Sequence, residues 1–101
     1  MYRRVKMVIP KTIAVGNTLY KVEEPREMYK CLGQINFDKK TISVATHAGR
    51  YRLADGERGD SFWHELTHAI LHDMNHPLTR DEKFVTAFAR RLNDAILSAE
   101  F

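Results

Sequence analysis

An α+β domain, a small antiparallel sheet followed by two helices, is the fold class this sequence predicts. Three observations carry it. Short runs of β-branched and aromatic residues, bounded by turn residues, fill the first half. Apolar residues recur at helical spacing from about residue 60 onward. A polar segment holding Gly49, Gly56 and Gly59 separates the two halves. The 101 residues are enough for a single domain spanning 1–101 with one core.

The elements follow in order. Thr12 to Val15 and Leu19 to Val22 flank Gly16-Asn17, a turn pair suited to a hairpin. Pro25 and its charged neighbours break the pattern. Leu32 to Phe37 is a further extended stretch, Asp38-Lys39-Lys40 a polar turn, and Thr41 to Ala45 a strand with Ile42 and Val44 on one face. His47 to Gly59 reads as loop, with room for a first helical turn at Asp55. Asp60 is a candidate cap for a helix running to Asp73, with Phe62, Leu66, Ala69 and Ile70 as its core stripe. Asn75-His76-Pro77 ends it. Thr79 and Glu82 have capping-box spacing at the start of a second helix, whose buried face would be Val85, Phe88, Ala89, Leu92 and Ile96.

Composition narrows the function classes. With 44% hydrophobic and 29% charged residues, the chain is typical of soluble globular proteins. No apolar run is long enough to span a bilayer, so no membrane role is expected. The stretch before Pro10 is too short for a signal-peptide core, and the single cysteine, Cys31, permits no intrachain disulfide; a cytoplasmic protein is expected. The net charge of +3 is mild, and its densest groups, Arg3-Arg4-Lys6 and Arg90-Arg91, form no long basic block. Nucleic acid is therefore not the expected partner.

The chemistry-bearing stretch is His64-Glu65-Leu66-Thr67-His68. Two histidines four residues apart on a helix sit about 40° apart around the axis, one turn above the other, so their imidazoles can converge on one Zn2+ ion. Glu65 falls beside the metal, where it can take a proton from a zinc-bound water and pass it to a leaving amine. By chance the pattern arises in a chain of this length about once in a few hundred. A catalytic zinc takes three protein ligands and keeps a position open. The third candidate is Glu82 at the start of the next helix, with Asp81, His72 and His76 as alternatives. His47, Tyr51 and Trp63 are more readily explained as solvated or packing side chains, and Cys31 has no acid–base partner in the sequence.

Phe62 to Leu71 resembles the active-site helix of small gluzincin-type HExxH zinc metallopeptidases, namely the minigluzincins and the phage-type relatives of the ImmA/IrrE metallopeptidases. The segment Asp81 to Val85 with Phe88, Ala89 and Leu92 is similar to the helix that carries their third ligand. The resemblance implies that Glu82 completes the zinc site and Glu65 is catalytic. It also implies that an edge strand before the active helix, here Thr41 to Ala45, pairs with an extended peptide or protein substrate. An endopeptidase is the function expected. The alternative is a zinc-stabilised binding or regulatory module with little or no hydrolysis.

Overall fold

A computed structural model describes residues 8–100. The basic group Arg3-Arg4-Lys6 lies outside the described residues. Four strands, β1 (Thr12–Val15), β2 (Thr18–Glu23), β3 (Gly33–Asn36) and β4 (Thr41–Val44), form one sheet. A short hairpin follows, β5 (His47–Ala48) and β6 (Tyr51–Arg52), then α1 (Asp55–Asp73), a 3-10 turn (Pro77–Arg80) and α2 (Glu82–Ser98). The class is α+β.

The sheet order is β1-β2-β4-β3, and this corrects two expectations. The sheet is mixed rather than antiparallel: β1–β2 and β3–β4 are antiparallel hairpins, but β2 and β4 run parallel, with Lys21 opposite Thr41 and Glu23 opposite Ser43. The segment after β2 crosses over before β3 begins, so the second hairpin docks on the first through its later strand. Thr41–Val44 is consequently a central strand, not an edge. Its burial explains the preference: Ile42 and Val44 are fully buried and belong at the middle of the sheet. The edge strands are β1 and β3, and β3 is the one that lies beside Glu65.

The Gly16-Asn17 turn joins β1 to β2 as expected, with Gly16 at φ +58°. A side chain there would run into the carboxylate of Asp73, so the end of α1 rests directly on this turn.

α1 starts at Asp55, five residues before the expected Asp60 cap, which lies inside the helix. Glu57 makes the earlier start possible. Its carboxylate accepts the Ala54 N–H at 3.0 Å and the Tyr51 hydroxyl at 2.8 Å. Asp55 and Glu57 also place negative charge in the first turn. The sequence leaves room for this turn at Asp55, although two helical glycines weaken the pattern there.

The core joins Val15, Tyr20 and Val22 with Ile42 and Val44 of β4 and with Phe62, Leu66 and Ala69 of α1. α2 adds Val85 and Ala89. Two expected core residues fall outside it: Ile70 and Phe88 are 43% and 47% exposed, on an apolar groove between the helices. The buried row of α2 is Val85, Ala89 and Asn93, and Asn93 donates to the Gly56 carbonyl at 2.9 Å. No helix among the described residues is long and apolar enough to cross a membrane.

Phe62 is among the largest fully buried side chains. Phe62→Ala should lower the unfolding free energy by about 3–5 kcal/mol, read as a reduced urea midpoint at constant slope.

Candidate metal centre

α1 carries His64 and His68 on one face, with ring centroids 5.0 Å apart and ring planes at 62°. Thr67, between them, is buried and satisfies its hydroxyl by donating to the Trp63 carbonyl at 2.7 Å. After α1, Asn75 at φ 52° reverses the chain. Thr79 in the 3-10 turn then donates to the His68 carbonyl at 3.2 Å, fastening the connection to the turn that bears a candidate ligand.

The expected capping box does not form. Asp81 caps α2, with Oδ1 accepting the Phe84 N–H at 3.0 Å. A side chain three residues into a helix and one immediately after the cap point in different directions, and the shift in helix start turns Glu82 away from any capping role. Its Oε2 lies 2.9 Å from His64 Nε2 and its Oε1 2.7 Å from His68 Nε2. One carboxylate thus offers an oxygen to each imidazole, while remaining 68% exposed along its side chain.

The donor chemistry fits a divalent metal of the zinc type. One atom from each of His64, His68 and Glu82 lies within 4.8 Å of the others. Donors around a tetrahedral zinc at its usual bond lengths are roughly 3.3 Å apart, so the carboxylate would need only a small withdrawal to admit an ion. Two imidazoles and one carboxylate leave a fourth position for a reactant.

Glu65 is buried beside this group. Burial pushes its carboxyl up from 4.5 to about 7, and the Glu82 charge adds to the rise. The space for it is made by Gly33 of β3: a Cβ there would stand 3.2 Å from Glu65 Oε2 and 3.4 Å from Ser61 Cβ. The edge strand can lie against the glutamate because it has no side chain at this point.

These residues line one cleft of about 740 Å³, with α1 along one side and the free edge of β3 along the other. The Ala45 N–H donates to the Leu32 carbonyl, so Leu32, Gln34 and Asn36 direct their main-chain groups toward β4. By alternation, Gly33 and Ile35 direct theirs outward, into the cleft.

The other candidates are engaged elsewhere. His72 stacks on Phe37 at 4.0 Å between centroids, at the cleft wall. His76 Nδ1 accepts the Leu78 N–H, and Asp81 is the cap. His47 contacts Thr46 in the β5–β6 hairpin, Tyr51 donates to Glu57, and Trp63 packs edge-on against Phe62. Cys31 is a free, exposed thiol at the rim of the cleft. Sequence reasoning missed Gly33, Phe37 and Arg80 as cleft residues. Only Gly33 left a signal, being a glycine inside a strand pattern, which marks close approach of another group.

The raised pKa of Glu65 has a consequence for the metal-free protein. The folded state holds the Glu65 proton between pH 4.5 and about 7 while the unfolded chain has released it. The associated stability is fully present below that window and is lost as pH rises through it. In chelator, Glu65→Gln should raise the melting temperature at pH 8 and leave it nearly unchanged at pH 4, a difference on the order of 1–3 kcal/mol in thermal or urea melts.

No family model matches the chain, and no match to it was found among curated proteins or among solved structures.

Proposed function

We propose that this protein is a zinc-dependent endopeptidase of the small gluzincin type, in which His64, His68 and Glu82 hold the metal and Glu65 is the general base. The observation that carries this reading is the convergence of Glu82 on both histidines beside the buried carboxylate of Glu65.

Zinc held by these residues would polarise the scissile carbonyl and lower the pKa of water from about 16 to about 7. Glu65 takes a proton from the water that attacks the carbonyl carbon. It then delivers that proton to the amine nitrogen as the C–N bond breaks. Held on a rigid helix within reach of that water, the Glu65 carboxylate is placed for both transfers. Gly33 keeps Glu65 oriented without crowding it.

The substrate is an extended peptide or protein segment that adds to the edge of β3, using the outward main-chain groups of Gly33 and Ile35. This places substrate pairing one strand away from Thr41–Ala45. The proposed setting is the cytoplasm, where Cys31 stays reduced.

A variant set tests the reading. Wild-type protein should retain one zinc per chain after dialysis, and His68→Ala and Glu82→Ala should each lose it, measured by elemental analysis. Glu65→Gln should keep the metal and lose hydrolysis of an unfolded protein by about 10²-fold or more. Absence of zinc after reconstitution would overturn the metal site. Full zinc with no hydrolysis by wild type would instead leave the metal as a staple between α1 and α2 in a binding or regulatory module. The position of Glu82, the first residue of α2 reaching both α1 histidines, supports that second reading.

A further inference from the structure

Arg80 closes the 3-10 turn between the helices and lines the same cleft. Its main chain is fixed on both sides. The preceding Thr79 donates to the His68 carbonyl, and the following Asp81 donates its N–H to the Leu78 carbonyl while capping α2. Its side chain is exposed and has no salt-bridge partner among the described residues, whereas Arg58 is committed to Glu24 and Asp55. An arginine with a held backbone and a free guanidinium is a ready receptor for a carboxylate.

The cleft also differs in charge from end to end. β3 and α1 run in the same direction along it: Gly33 stands beside Ser61 and Glu65, and the Phe37 ring lies on His72. Asp60 is therefore at one end of the helix face and His72 at the other, about 18 Å away by helical rise. Arg80, tied through Thr79 to the C-terminal side of His68, belongs with His72. Once Glu65 and Glu82 are assigned, Asp60 is the one carboxylate left among the described residues lining the cleft.

We propose that this cleft selects peptides bearing an aspartate or glutamate on the N-terminal side of the bond presented to Glu65, with Arg80 pairing that carboxylate. The placement of the bond rests on the peptidase reading; the charge selection does not. A peptide joining the free edge of β3 antiparallel has its N-terminal part at the Phe37 end, beside His72 and Arg80. Its C-terminal part lies toward Asp60, which repels a carboxylate and accepts a cation.

The test uses the full chain, zinc-loaded and carrying Glu65→Gln so that bound peptide is not turned over. Two labelled decapeptides are compared by fluorescence anisotropy: one with glutamates in its N-terminal half and lysines in its C-terminal half, the other with the blocks exchanged. The glutamate-first peptide should bind about fivefold tighter, and the advantage should shrink as salt is raised. Arg80→Lys should keep the order and Arg80→Glu should abolish or invert it. Equal binding of the two peptides, or a preference that Arg80→Glu leaves untouched, would overturn the proposal. Incubating the glutamate-first peptide with the zinc-loaded wild type separates the two claims. Arg80-dependent preference without cleavage sinks the peptidase reading alone, and cleavage without that preference sinks the charge selection alone.

Discussion

How closely α2 approaches α1 decides where the Glu82 carboxylate ends up, and that approach is set by two small buried residues. Val85 and Ala89 are fully buried on the inner face of α2. Their size lets the helix axes come near, and close packing of this kind leaves little freedom to slide. The first residue of α2 is then held opposite the middle of α1, where His64 and His68 are one turn apart. The Thr79 hydroxyl on the His68 carbonyl and the Asp81 cap fix the same geometry from the connection. The three candidate ligand side chains therefore converge because of apolar packing and hydrogen bonds that engage none of their imidazole or carboxylate groups.

Two carboxylates in this site have opposite surroundings. Glu82 is largely in water, where its charge is well solvated and can follow a cation. Glu65 is shut between α1 and the edge strand, where an ionised carboxylate is poorly solvated. Under the proposed reading, the difference suits Glu82 to coordination and Glu65 to proton transfer. Gly33 leaves room for the second, since a Cβ there would stand 3.2 Å from Glu65 Oε2. Any larger residue at that strand position would compete with Glu65 for the same space.

The parts of this fold that were legible in the sequence are the local ones. The Gly16 turn, the two hairpins, the end of α1 and the HExxH spacing depend on residues within a few positions of one another. What was not legible depends on distant partners. Nothing near Thr41 announces that it pairs in parallel with Lys21, so local pattern cannot distinguish this central strand from an edge. The start of α1 was displaced because Gly56 and Gly59 weaken the helical pattern while Glu57 quietly satisfies the first turn. Glu82 was singled out, yet its capping-box spacing with Thr79 was a false trail. Asp81 caps more effectively at the true start, and a one-residue choice of cap decides whether Glu82 serves the helix or the histidines. Phe88 and Ile70 carry the right period for a core but sit at the outer margin of the helix pair, a distinction that periodicity alone cannot make.

The parallel seam between β2 and β4 also bears on how the chain reaches this state. Each hairpin closes over a few residues, whereas the seam brings together strands separated by a longer crossover, at a larger loop-closure cost. The edge strand that walls the cleft hangs on β4 alone and so belongs to the second hairpin. α1 serves as a clamp, resting on the β1–β2 turn where Asp73 meets Gly16 and on β3 where Glu65 meets Gly33, so that one helix holds both hairpins against each other.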